Sequence, residues 1–345
     1  MISGFTCPCH GFMSGIIDGK MVRSYRLFYA GTARDGWYTN EHIIEDMKAM
    51  QALFRLLHPE CDIGIAFDHS MTHCKKAPDG LDASVLNLSD GGKKFETGKQ
   101  PLLRDRWYLR TLGDGSVERV PHVLHHELED GTRVQKGVRT ILKERGKFRW
   151  RDTLHEPKLF CTTCKARYEK PAAKEGEDGK EGEEGEEGEE GEDDDEPVGL
   201  PVEGGCCASR ILSDEPDFAE QRPWLQETVE EMGFMMIYFP KYHCELNFIE
   251  MLWGWIKAYH RKHCTYKYAD LNGPDGLRKT LNERLPLDFV RRAARHSFRY
   301  IHGYAEGMMG PLLDFAVKKS KGHRTITPAM TEEIKKEFGI KKVRR

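Results

Sequence analysis

The sequence predicts a mixed α/β fold with a large insertion and a helical, basic C-terminal region. Three observations predict it. An amphipathic helix pattern is followed by a strand-length apolar run, the same helix-then-strand order recurs after an acidic low-complexity tract, and positive charge collects in the last quarter of the chain. Helix then strand, twice over, is the pattern of a layered α/β sheet.

In "GTARDGWYTNEHIIEDMKAMQALFRLLHP", Ile43, Ile44, Met47, Met50, Leu53, Phe54 and Leu57 recur at helical spacing. Thr39 or Asn40 can cap this helix and Pro59 ends it. "CDIGIAFDHS" then reads as a short strand that stops at Asp68. In the second pair, "PDFAEQRPWLQETVEEMG" predicts a helix and "FMMIYF" a buried strand. Between the pairs lies "KEGEDGKEGEEGEEGEEGEDDDE", residues 174–196, with 15 acids, 2 lysines and nothing apolar to bury; disorder is expected there.

With 345 residues the chain is long enough to bury a real core. Its 39% hydrophobic and 32% charged residues, with no 18-residue apolar run, argue against a membrane span. The opening "MISGFTCPCHGFMSG" lacks the basic and apolar regions of a signal peptide. A reducing, intracellular compartment is expected, where ten cysteines serve as free thiols or metal ligands. The net charge of -3 hides an asymmetry, because the acidic tract alone carries -13 and the segment from Lys257 to Arg345 carries +12. Such a basic segment suits polyanions, although solvated helix faces are an ordinary alternative.

In open α/β sheets, ligand sites gather outside the carboxyl ends of the strands. Asp68 sits at one such end, and Glu250 lies a short loop past the other, in the first turn of a helix that Asn247 can cap. Two carboxylates brought together there suit Mg, which takes oxygen ligands and keeps waters. Taken singly, each acid is also an ordinary turn or first-turn residue. Cys161 and Cys164 form a C-x-x-C knuckle, and with Cys206 and Cys207 they offer four thiolates for a structural Zn. Cys7, Cys9 and His10 could join another site, but strand alternation favours Cys7 and Cys9 as core. In "LPLDFVRRAARHSFRYIHGY", Arg291, Arg292, Arg295 and Arg299 cluster opposite Phe289, Ala293 and Tyr300, a face suited to phosphate.

"FDHSMTH", followed much later by "FPKYHCELNFIEMLWGWIK", resembles the second and third acidic blocks of mariner-superfamily DDE transposases, of the fungal type. The family's third block commonly reads Pro-x-Tyr-Ser-Pro-x-Leu-Asn-Pro-Ile-Glu, then a Trp and a Lys. Pro240, Tyr242, Leu246, Asn247, Ile249, Glu250, Trp253 and Lys257 stand in register with it. In the second block Asp68 and His73 match, while His69 replaces the usual Asn. The resemblance covers residues 1–88 and 206–325. It implies an RNase H-like mixed sheet flanked by helices, catalytic metal ligands at Asp68 and Glu250 holding two Mg or Mn ions, and support from His73 and Asn247. It also implies a nuclear setting and DNA as partner, gripped by Lys257, Arg261, Lys262 and the four arginines, with homo-oligomers open and no membrane.

Two departures stand out. The acids are 182 residues apart, which makes residues 89–205 an insertion between core parts 1–88 and 206–263, followed by a basic helical region 264–325 and a basic tail 326–345. The family's first Asp, on the first strand of the fold, has no counterpart, so the chain is expected to begin at the second strand, without the helix-turn-helix region and as an incomplete enzyme. Asp18 and Asp35 read as solvated turn residues rather than replacements. The alternative is a noncatalytic nucleic-acid-binding or interaction protein built on the same scaffold.

Overall fold

The computed structural model describes residues 1–147, 158–161, 164, 206–263, 267, 276–320 and 325–338. The acidic tract 174–196 lies outside the described residues. The chain forms two compact units, Met1–Lys75 together with Pro223–Arg345, and Lys76–Arg222.

The first unit opens with three short chain segments that each change partner midway. They carry β1 (Ile2–Gly4) and β2 (Thr6–Cys7), β3 (Gly11–Phe12) and β4 (Ser14–Ile17), then β5 (Lys20–Arg23) and β6 (Tyr25–Leu27). β1 pairs with β6, β2 with β3 and β4 with β5, all antiparallel. The β4–β5 connection is a hairpin turn, in keeping with Asp18 as a turn residue, with Asp18 at φ 48° and Gly19 at φ 74°, the left-handed pair that a two-residue loop requires. Ser24, buried at 1% exposure, holds the junction. Its hydroxyl accepts from Met13 N–H (2.7 Å) and donates to the Phe5 carbonyl (2.6 Å), while its backbone bonds both segments as well. Ser24→Ala strands a buried Met13 N–H, so the denaturant midpoint should fall by the equivalent of about 1–3 kcal/mol.

The first helix, α1 (Asn40–Leu57), follows its sequence pattern. Thr39 is the N-cap and its backbone N–H donates to His42 Nδ1 (3.0 Å), while Ile43, Ile44, Met47, Met50, Leu53 and Phe54 are buried. β7 (Gly64–Phe67) then runs out to Asp68, as expected.

The second unit holds α2 (Lys93–Glu96), the hairpins β8 (Arg106–Thr111)–β9 (Val117–His122) and β10 (His125–Glu127)–β11 (Arg133–Gln135), then α3 (Val138–Glu144), α4 (Ala208–Ser213) and α5 (Pro216–Ala219). Its core joins Leu81, Leu86, Leu103, Leu124, Ile141, Leu142, Leu212 and Phe218. The boundaries read from the sequence, 89 and 205, therefore fall inside this unit. Leu81 and Leu86 on one side, and Ala208, Ile211, Leu212 and Phe218 on the other, bury their apolar surface here and leave "CCASRILSDEPDF" outside the core part to which the resemblance assigned it. Beneath that core lies an ionic network. Arg145, with its side chain fully buried, binds Asp217 through both terminal nitrogens (2.7 and 2.8 Å), meets Glu215 (3.3 Å) and donates from Nε to His122 Nδ1 (3.1 Å).

The chain re-enters the first unit through α6 (Trp224–Glu231), separated from α5 because Pro223 cannot continue a helix and instead forms the N-cap. β12 (Met235–Tyr238) pairs parallel with β7, in register from Met235↔Gly64 to Tyr238↔Phe67. Among the described residues this pair and the antiparallel pairs are separate two-stranded ladders, where a single mixed sheet was expected. Nor is β12 buried on both faces, since Met235 and Ile237 point outward. One face of the pair packs with α1 and α6, through Ile65, Phe67, Met47, Leu53, Leu225 and Val229. A 3-10 turn (Cys244–Leu246) leads into α7 (Ile249–His263), and past a helical turn (Leu277–Lys279) come α8 (Leu287–Ala305), α9 (Gly310–Lys319) and α10 (Pro328–Glu337). Phe12, Tyr25, Leu252, Ile256, Val290 and Ala293 bind α7 and α8 to the N-terminal strands. Among the described residues the chain after β12 is helical, the C-terminal arrangement that was expected.

Candidate nucleic-acid interface and metal centres

The carboxyl ends of the parallel strands shape one loop. Asp68 follows β7 directly, its side chain 60% exposed, and His73 Nδ1 stands 2.7 Å from its carboxylate and 3.0 Å from its carbonyl oxygen. Tyr238, the last residue of β12, donates its hydroxyl to the His73 carbonyl (2.8 Å). His69, where the family has Asn, turns to Cys74 Sγ (3.4 Å). The His73 hydrogen bond outweighs partial burial and holds the Asp68 carboxyl below the ordinary range, so it is ionised at neutral pH. His73 is therefore in contact with the Asp68 side chain and backbone. Tyr238 was missed, although its place at the end of a predicted strand was a usable signal.

Glu250 is exposed, in the first turn of α7, and its backbone N–H bonds the Asn247 carbonyl (3.2 Å). Asn247 contributes through its backbone, because it closes the preceding 3-10 turn in an extended conformation (φ -99°, ψ 98°). A further acid in the same loop, Glu245, is engaged by His243 (2.7 Å) and by the Tyr304 hydroxyl (2.8 Å), which tie the loop to α8.

The exposed stripe of α7 carries Glu250, Gly254, Lys257 and Arg261 at helical spacing, with Lys262 beside them, while Leu252, Ile256 and His260 face inward. A Cβ at Gly254 would meet nothing within 4 Å, so the helix backbone is approachable between the acid and the cations. On α8 the expected four-arginine face is not uniform. Arg291 and Arg292 are exposed, Arg292 lies 3.2 Å from Asp288, Arg295 is half-buried and Arg299 is buried at 6% exposure. Arg299 corrects the sequence reading. Past Ser297 the inward face of α8 passes to Arg299 and Gly303, where α9 packs, a change the arginine spacing alone does not disclose.

The four thiols read from the sequence do converge. Cys161 Sγ lies 3.4 Å and Cys164 Sγ 3.5 Å from Cys206 Sγ, and Cys207 completes a group whose sulfurs all lie within 4.8 Å. Ligand sulfurs around a tetrahedral Zn with bonds of about 2.3 Å stand about 3.7 Å apart. The Cys164 N–H donates to Cys161 Sγ (3.4 Å), the bond that steadies a knuckle thiolate, and draws the Cys161 thiol down to about 7. Ala208 and Ser209 N–H groups bond the Lys158 and Leu159 carbonyls (3.2 and 3.1 Å), which brings the two thiol pairs together.

A second group unites Cys7, His10 and His58. Cys9 is exposed rather than core, because the chain turns after Cys7 instead of continuing as strand, and Cys7 is only half-buried. Among the described residues, neither Asp68 nor Glu250 belongs to a set of three or more converging ligands. No family model matches the chain, and no curated protein or solved structure matches it either.

Proposed function

We propose that the chain is a DNA-binding protein on a transposase-like, RNase H-like scaffold, in which the exposed stripe of α7 lies along the phosphate backbone. The observation that carries this reading is the order Glu250, Gly254, Lys257, Arg261 on one solvent face. Two cations a turn apart suit successive phosphates, and a glycine between them and the acid lets a sugar-phosphate strand approach the helix closely. Arg291 and Arg292 extend the basic surface.

Asp68, at the carboxyl end of β7, and Glu250, in the first turn of α7, are the carboxylates that would be called on for a Mg or Mn ion, and two of them with waters are donors for one ion at most. They fall short of the ligands that two ions sharing a phosphate need. Such an ion would polarise a phosphate oxygen; the chain's own part is to hold Asp68 ionised through His73. A noncatalytic binding protein is favoured because, among the described residues, neither Asp68 nor Glu250 has a further converging ligand. The four-cysteine group is proposed to hold a structural Zn.

Supercoiled plasmid incubated with the chain and Mg or Mn separates the two readings. A DDE-type enzyme nicks it, and Asp68→Asn or Glu250→Gln abolishes the nicking. A binding protein retards the plasmid in all three forms and leaves it intact.

A further inference from the structure

Cys7, His10 and His58 come together from two distant parts of the first unit. Cys7 ends β2, His10 stands in the turn before β3, and the Cys7↔Gly11 pairing, with Gly11 at φ 68°, folds "CPCH" so that both donors lie on one side. His58 is the C-cap of α1, its backbone fixed by the bond from its N–H to the Phe54 carbonyl (2.9 Å). Cys7 Sγ is 3.5 Å from His10 Nδ1 and 3.6 Å from His58 Nε2, the two rings meet edge-on at 5.0 Å, and the three donor atoms lie within 4.8 Å of one another.

We infer that Cys7, His10 and His58 form a second transition-metal site, which takes Zn with one thiolate, two imidazoles and a fourth position open to solvent. In a tetrahedral site with Zn–S of about 2.3 Å and Zn–N of about 2.0 Å, sulfur and nitrogen ligands stand about 3.5 Å apart, so the observed separations match without rearrangement. A thiolate with two imidazoles selects a borderline-soft cation over Mg or Ca. The C-terminal end of α1 adds its negative dipole end beside His58, which favours a cation there. His10 is exposed while Cys7 and His58 are half-buried, so an ion has a path in from solvent. Binding releases the Cys7 proton to solvent, and the ion pins the β2–β3 turn to the end of α1. This site is independent of the four-cysteine group and of DNA binding.

The test uses the full chain carrying Cys161→Ser and Cys164→Ser, which removes the other thiol site, with Co(II) chloride and then Zn sulfate as probes. One Co(II) should bind per chain with a thiolate charge-transfer band and the visible bands of a tetrahedral ion, and Zn should displace it. His58→Ala should weaken binding more than about a hundredfold, since even outer partners of a metal ligand are worth tenfold to a hundredfold. His10→Asn, at an exposed position, should do the same while leaving the metal-free melting temperature unchanged, which separates ligation from misfolding. Absence of stoichiometric Co(II) at micromolar concentrations, or affinities unchanged by His10→Asn and His58→Ala, would overturn the assignment.

Discussion

Arg145→Met destabilises the Lys76–Arg222 unit by about 3–5 kcal/mol, the loss expected when one partner leaves a buried ion pair. The guanidinium is wholly enclosed, neutralises Asp217 and Glu215, and lies against the Tyr108 and Phe218 rings (5.5 and 5.4 Å). Without it, Asp217 loses its buried cation and Glu215 keeps only Lys147, at 3.1 Å. Hydrogen exchange of the Ile141 and Leu142 amides in the full chain checks this, and Arg145→Met with Asp217→Leu should recover part of the loss.

The same network makes the unit sensitive to acid. Because Arg145 Nε donates to His122 Nδ1, the neutral ring carries its proton on Nε2, facing Glu144 Oε2 at 2.6 Å. Burial pushes the His122 imidazole below its usual range, against the opposing pull of Glu144. The folded state therefore binds this proton less readily than the unfolded chain. Its contribution is complete above a pH of about 6.5 and is lost as pH falls through the depressed folded value. Melting curves between neutral and mildly acidic pH should show that loss, and His122→Gln should flatten it.

Chelation of Zn from the full chain, or Cys164→Ser, should lower the melting temperature of the Lys76–Arg222 unit and free the segment around Leu159 from Ser209. Structural Zn in finger peptides is worth about 10–16 kcal/mol of apparent binding energy at neutral pH, much of which becomes folding energy. Here a formed core limits the effect to the region the thiols join. Exchange of the Ala208 and Ser209 amides, protected by bonds to Lys158 and Leu159 carbonyls, is the local readout. Amide protection and melting unchanged by chelator, with no Zn retained after dialysis, would remove the four-cysteine proposal.

Much of the local structure was legible because it follows from period and turn chemistry. The apolar spacing from Ile43 to Phe54 marked the buried face of α1, Asp18 was legible as a turn residue, and Cys161, Cys164, Cys206 and Cys207 were read as one thiol group, which the structure brings together. What resisted reading depends on long-range contact. Ser24 carries no signal as a junction residue, since its partners Phe5 and Met13 are joined to it only by the folded arrangement of three segments. His58 drew no reading from the sequence, because its partner Cys7 lies 51 positions away and only the fold places it alongside. The unit boundary differs because it was placed where the resemblance stops, at 88 and 206, while the core of the unit recruits Leu81 and Phe218 from beyond those positions. Arg299 was read with its arginine neighbours because helical spacing ranks faces but does not say which neighbour helix will cover them.

The central claim is that the α7 stripe holds DNA backbone, and a salt titration of duplex binding tests it most directly. Each phosphate contact contributes a slope of about -0.9 in log affinity against log salt. The full chain is compared with Lys257→Ala/Arg261→Ala/Lys262→Ala, and with Lys20→Ala/Lys48→Ala, which removes exposed charge elsewhere on the same unit. The account predicts that the triple variant flattens the slope by about 2.7 and weakens every duplex sequence alike, while the control keeps its slope. Equal slopes and affinities for the full chain and the triple variant would contradict it.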